Sequence, residues 1–107
     1  MTDNYFHHTA IQVKDIKESV NFYVSHFNAQ VLYEDNSWAL LSLNSITKLA
    51  LVLPTDHPPH IAIVSDLTRY SLNLKEHRDG VVSRYIKDPS GNVIELLDPQ
   101  TVTSYAS

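Results

Sequence analysis

The chain has 107 residues, a net charge of −4 and no cysteine, which suits one compact domain near the lower size limit for a stable core. Its acidic and basic residues are interspersed, which argues against nucleic acid or anionic lipid as a partner, and no apolar run is long enough to span a bilayer. The lack of cysteine excludes disulfides, thiolate nucleophiles and zinc–thiolate sites. We expect a cytoplasmic protein.

The first half of the sequence predicts the order β-α-β-β-β. Residues 6–13 alternate between apolar and polar side chains, as in a half-buried strand. Asp15 is placed to cap a helix, with Glu18 three residues later, and Asn28 is a typical left-handed stop. The predicted apolar stripe of this helix consists of Ile16, Val20, Tyr23 and Phe27. Three strands are predicted to follow, at residues 30–34, 38–43 and 48–53.

The prolines at 58 and 59 cannot continue a sheet ladder, so residues 55–59 predict a linker. A strand at 60–65 follows, after which two interpretations compete. Residues 67–74 carry a helical stripe, but Tyr70 and the residues after it also alternate as a strand that turns at Asp79-Gly80. We favour the hairpin, because it gives the second half its full set of strands.

The last part of the sequence predicts a tight turn and a final strand. Residues 88–91 read Asp-Pro-Ser-Gly, which is typical of a type I turn. A strand over residues 92–97 is expected after it, and Pro99 would end that strand.

The two halves begin alike. His8 opens a β-type run that closes on Asp15, and His60 opens a similar run that closes on Asp66. A repeat of about half the chain indicates two copies of one supersecondary unit, each too small to bury its own apolar face.

Two histidines and one glutamate are predicted to share one face of the sheet. His8 and His60 open matching strands, and Glu95 lies in the middle of the apolar last strand. A carboxylate at that position is costly to bury without a partner, and a metal ion would remove the cost. Two neutral imidazoles and one carboxylate form the facial triad of non-haem ferrous sites. The alternative is that the three side chains serve only as hydrogen-bonding struts.

At these residues the chain resembles the vicinal oxygen chelate superfamily, which includes glyoxalase I, bleomycin and fosfomycin resistance proteins, and extradiol dioxygenases. The resemblance implies an α+β fold in which two βαβββ modules form a curled, cup-like sheet around a divalent metal. Here the whole chain, 1–107, would be one such domain, with module one at about 5–54 and a shortened module two at about 60–99. The matching motifs are His8-x-Ala-Ile-x-Val, Ser19-x-x-Phe-Tyr, His60-x-Ala-Ile and Asp88-Pro-Ser-Gly-Asn-x-Ile-Glu-Leu.

The resemblance also implies roles for single residues. His8, His60 and Glu95 correspond to metal ligands. Glyoxalase-like members take a fourth ligand, usually glutamate, from the position matched by Ala50, which cannot ligate. This departure favours the three-ligand site of the extradiol dioxygenases, in which residues matched by His77 and Tyr85 lie beside the iron and assist catalysis.

The sequence therefore predicts a small metal-dependent enzyme, with Fe(II) preferred over Mn(II), Ni(II) or Zn(II). The predicted reaction is ring cleavage of a vicinal diol, with a small molecule as substrate and a homodimer as the assembly. Two alternatives stay open. One is a non-catalytic protein that binds and sequesters an antibiotic or similar small molecule, and the other is a glyoxalase-like isomerase or lyase.

Overall fold

The computed structural model describes residues 4–65, 75–76 and 82–99. Within them the chain has the predicted α+β architecture, with a mixed sheet and one helix. Residues 8–60 form one compact unit, and residues 4–7 belong with the described residues after 60 in a second. The elements are β1 (Tyr5–Gln12), α1 (Ile16–Phe27), β2 (Gln30–Glu34), β3 (Trp38–Ser42), β4 (Lys48–Val52), β5 (His60–Val64), β6 (Lys75–Glu76), β7 (Val82–Lys87) and β8 (Val93–Leu97).

The first unit confirms the predicted order of strand, helix and three strands. Its strands lie in the order β2-β3-β4-β1. Strand β3 runs antiparallel to both β2 and β4, whereas β1 runs parallel to β4, with Ala10 opposite Ala50. A parallel pair needs a long crossover connection, and the helix and the two intervening strands supply it.

Helix α1 begins and ends where the sequence predicts. The Asp15 carboxylate accepts a hydrogen bond of 2.8 Å from the Glu18 backbone N–H, which satisfies one of the donors that a helix start leaves unpaired. Asn28 ends the helix with φ 57°, in the left-handed region. The core under the helix is apolar and contains Ile16, Val20, Ala29, Ala39, Leu41 and Leu51.

One part of the predicted stripe is not buried. Ile16 and Val20 lie in the core and Tyr23 packs against it, but Phe27 is 57% exposed. Phe27 occupies the last turn of the helix, where its ring lies beside those of Phe22 and His26. The helical period predicts the direction of a side chain, but not where the underlying sheet ends.

The described part of the second unit contains strands in the order β5-β8-β7-β6. Strand β5 runs parallel to β8, and β7 runs antiparallel to β8 and β6. The pairs of Lys75 with Ser83 and Glu76 with Val82 agree with the predicted hairpin. Residues 66–74 and 77–81, which include the competing helix and the predicted turn, lie outside the described residues.

The turn before β8 is confirmed. The Gly91 N–H donates to the Asp88 carbonyl at 3.0 Å, and Gly91 has φ +89°, a conformation that favours glycine. The Asp88 carboxylate accepts hydrogen bonds from the Asn92 side chain and from the backbone N–H groups of Ser90 and Asn92. These bonds, that of the Asn92 side chain first, lower the pKa of Asp88. The turn therefore fixes where β8 begins.

In the part of the chain that the structure describes, no helix has the length and apolar character needed to cross a lipid bilayer.

Candidate metal centre

Strand β1 presents His8 on the side of the sheet away from the helix. Ile11 and Val13 pack against the core beneath α1, so the alternation of the strand directs His8 and Ala10 to the other side. Both His8 and His60 are buried, with 7% of each residue exposed. Their ring centroids are 5.7 Å apart and the ring planes meet at 68°. The two predicted histidines therefore lie side by side.

The His60 imidazole is held by the chain just before it. His60 is the first residue of β5, and its Nδ1 lies 2.8 Å from the Pro58 carbonyl oxygen. Because a carbonyl only accepts hydrogen bonds, Nδ1 must carry the proton. In the neutral ring Nε2 then keeps its lone pair, which is the form that a metal ligand requires.

Glu95 lies in the middle of β8, between the neighbouring strands of the second unit. Its register partners are Ala62 on β5 and Tyr85 on β7, so these side chains share its face of the sheet. Only 5% of Glu95 is exposed. Ala62 belongs to a buried apolar cluster with Val64 and Leu97, so apolar groups lie on one side of the carboxylate. A charge there needs a partner.

The described residues contain one group of side chains that could hold a metal ion. The candidate ligand atoms of His8, His60 and Glu95 all lie within 4.8 Å of one another, and all three residues are buried. Two imidazole nitrogens and one carboxylate oxygen are a donor set that suits first-row divalent metals. The donor set and the tautomer of His60 therefore fit a metal ion.

Ala50, at the position where the family resemblance implies a fourth ligand, also lies on this side of the sheet. Ala50 on β4 pairs with Ala10 on one side and with Leu40 on the other, and it is 2% exposed. Leu49 and Leu51, its neighbours along the strand, belong to the core under the helix. Ala50 consequently shares the side of His8, and its methyl group offers no ligand atom.

Of the two predicted catalytic residues, one can be placed. Tyr85 lies opposite Glu95 in the β7–β8 pair. Burial raises the pKa of the Tyr85 hydroxyl, and the negative charge of Glu95 raises that pKa further. The phenol is therefore neutral at physiological pH and can donate a hydrogen bond. His77 lies outside the described residues.

The sequence does not predict that the linker contributes a contact to the candidate site. Residues 55–59 were expected only to join the two halves, yet the Pro58 carbonyl orients His60. The Gln12 side chain in turn donates to the His57 carbonyl at 2.9 Å. Every residue has a carbonyl, so no residue type in the sequence marks this contact.

Several solved structures share the fold of this chain. A methylmalonyl-CoA epimerase from Mycobacterium tuberculosis is 17% identical, with a TM-score of 0.70 over 88% of this chain and 87% of that one. The Streptomyces coelicolor methylmalonyl-CoA epimerase is 15% identical, with a TM-score of 0.67 over 95% and 97%. A hypothetical protein from Bacillus halodurans is 17% identical, with a TM-score of 0.66 over 91% and 95%. At these identities the likeness establishes the fold and not the reaction.

Sequence comparison identifies the family. No curated protein matches the chain in sequence. Residues 5–71, which are more than half of the chain and include β1, α1 and both histidines of the candidate site, match the sequence profile of one family. The chain belongs to the Glyoxalase/Bleomycin resistance protein/Dioxygenase superfamily.

Proposed function

We propose that this protein is a metal-dependent enzyme in which His8, His60 and Glu95 hold one divalent ion. The observation that supports the proposal is the approach of three buried ligand atoms to within 4.8 Å of one another. Burying a carboxylate is costly, and a cation beside it would offset that cost.

The proposed metal is Fe(II), with Mn(II), Ni(II) and Zn(II) as alternatives. Two histidines and one carboxylate are the ligand set of non-haem ferrous oxygenases, and three protein ligands leave coordination positions open. The methyl group of Ala50 stands where related isomerases are expected to supply a fourth ligand. We therefore propose that the substrate is a small molecule with two adjacent oxygen atoms, of which a vicinal diol on an aromatic ring is the first candidate.

The proposed reaction is ring cleavage by dioxygen. The carbon–carbon bond beside the diol breaks and both oxygen atoms of O₂ enter the product, so that no external reductant is required. When bound, the metal supplies a Lewis acid that lowers the pKa of a chelated hydroxyl. Tyr85, kept neutral by burial and by Glu95, would donate a hydrogen bond to a substrate oxygen. The Pro58 carbonyl would keep His60 in its ligating tautomer.

A second candidate comes from the methylmalonyl-CoA epimerases that share the fold. An epimerase needs a group that removes and returns a proton at carbon. On the side of the first unit that carries His8, Ala10, Leu40 and Ala50 offer no such group, but Lys48, two residues before Ala50 on β4 and opposite Ser42, carries an amine. The dependence of turnover on oxygen separates the oxygenase from the epimerase.

Reconstitution distinguishes the candidates. The protein is loaded anaerobically with Fe(II) and then given a panel of catechols in the presence of oxygen. Ring cleavage predicts oxygen uptake and a yellow chromophore. Turnover without oxygen in the Ni(II) or Zn(II) form would instead establish an isomerase or lyase. If no metal form turns over any substrate while apolar drugs bind at micromolar concentration, the protein is a sequestering binder.

The ligand assignment has its own test. His60→Ala is expected to abolish metal binding measured by elemental analysis, because two remaining ligands hold a metal poorly. His26→Ala is the matched control, since His26 is exposed on α1 and should leave the metal content unchanged. Stoichiometric metal in the His60→Ala protein would contradict the assignment.

A further inference from the structure

The linker before His60 is anchored at its start. The Leu53 carbonyl accepts hydrogen bonds from the backbone N–H groups of Asp56 and His57, at 3.0 Å and 3.2 Å, and Leu53 itself packs against the core. Two prolines then follow. Each has a fixed φ, and each restricts the residue before it to extended conformations. The linker is therefore a stiff segment that leaves the core at one defined point.

The Gln12 side chain makes a hydrogen bond to the middle of the linker. Gln12 is the last residue of β1 and pairs with Val52 on β4, and its side-chain Nε2 donates to the His57 carbonyl oxygen at 2.9 Å. The next carbonyl along the chain, that of Pro58, accepts from His60 Nδ1. The two contacts thus fall on consecutive peptide groups, which are joined at the Cα atom of Pro58.

We propose that Gln12 is a positioning residue for the metal site, acting on His60 through the linker. The donor on Gln12 holds the His57 carbonyl, the stiff His57-Pro58 segment transmits that constraint, and the Pro58 carbonyl stays aimed at Nδ1. The inference rests on the proposed metal function. It adds that Gln12, through the linker, sets which nitrogen of His60 carries the proton.

The physical consequence concerns the tautomer. Without the Gln12 contact the linker loses one of its anchors, so the Pro58 carbonyl has more freedom to turn away from the ring. The imidazole then also adopts the Nε2–H tautomer, whose proton occupies the ligating position and must be lost before a metal binds. Partners that orient a ligating histidine are worth roughly 10–100-fold in metal affinity.

Gln12→Ala removes the contact, and Gln30→Ala is the matched control because Gln30 is exposed at the start of β2. Anaerobic titration with Fe(II), and with Co(II) as a spectroscopic probe, should show affinity about tenfold weaker for Gln12→Ala and unchanged for the control. Nitrogen-15 shifts of His60 in the metal-free protein should move from the Nδ1–H towards the Nε2–H tautomer. A merely structural role for Gln12 would lower the melting temperature without moving the tautomer.

Gln12→Glu is the second variant, because it keeps the length of the side chain but cannot donate at neutral pH. Its added negative charge would attract a cation, so weaker Fe(II) binding in this variant would come from the lost contact with the His57 carbonyl and not from the change of charge. Unchanged affinity in both variants, or an unchanged tautomer in both, would overturn the inference. If the unmodified protein binds no metal, the proposed function fails, and the tautomer of the metal-free protein alone decides whether Gln12 positions His60.

Discussion

Glu95 is a buried carboxylate, and its charge can be removed with little change of shape. Glu95→Gln should weaken metal binding by more than about a hundredfold, the upper range for losing a partner of a ligand, and leave the fold intact. Titration calorimetry and circular dichroism measure the two effects. The exposed Glu34→Gln is the control. Loss of the fold with metal affinity preserved would instead identify Glu95 as a structural strut.

Ala50 is the residue that separates the proposed oxygenase from four-ligand relatives. Ala50→Glu should tighten metal binding, because it supplies a fourth ligand, and should suppress oxygen uptake by filling an open coordination position. Ala50→Leu is the matched control: it adds similar bulk to this buried site without a ligand atom. If both variants lose activity and neither binds metal more tightly, only steric blocking has occurred.

Asp35 gives a pH-dependent prediction that does not involve the metal. Partial burial acts to raise its pKa, but hydrogen bonds from Ser37, Tyr33 and Trp38 outweigh it and lower the pKa from 3.8 to about 2. The folded state therefore favours the carboxylate, so stability is present above pH 4 and is lost as pH falls from about 4 to 2.

Asp35→Asn should accordingly be less stable at neutral pH, by on the order of 1 kcal/mol, and should lose less stability between pH 4 and pH 2. Urea unfolding at several pH values measures both, with Glu34→Gln as the control. Parallel pH profiles for the variant and the unmodified protein would contradict the assignment.

Among the predicted elements, the hairpin of the second half lies largely outside the described residues and needs its own test. Strand β6 pairs with β7 at Lys75 and Glu76, so we expect the residues just before 75 to continue as a strand. Backbone chemical shifts should be extended at 72–74, and α1 should be the only long helix. A helix of three turns across Leu67–Arg78 would make the prediction wrong.

The elements predicted correctly from sequence are those marked by local chemistry. Asp15 can cap only through its own side chain, Asn28 tolerates a left-handed conformation, and Gly91 accepts a positive φ, so each marks its boundary in the residue type. Strand alternation predicts the face of β1 on which His8 lies and the face of β8 on which Glu95 lies. The orienting role of Pro58 depends on a backbone carbonyl, and the exposure of Phe27 depends on where the sheet ends. Neither is encoded in residue type.

For the whole molecule we propose a homodimer. A chain of 107 residues has a small apolar core relative to its surface, and pairing two chains would bury further apolar surface. Sedimentation equilibrium at micromolar concentration should give twice the 12.1 kDa of one chain. Mass that stays at one chain across the micromolar range would contradict the proposal.

The division of the chain into two units has a consequence for synthesis. Residues 8–60 are contiguous, so every contact of that unit is available once His60 has left the ribosome, and the two imidazoles can meet in a nascent chain. Glu95 is added 35 residues later, which at 5–20 residues per second is a delay of about 2–7 s. During that interval the emerging chain would display a pair of histidines without their carboxylate, and the order of translation would set the order in which the ligands are assembled.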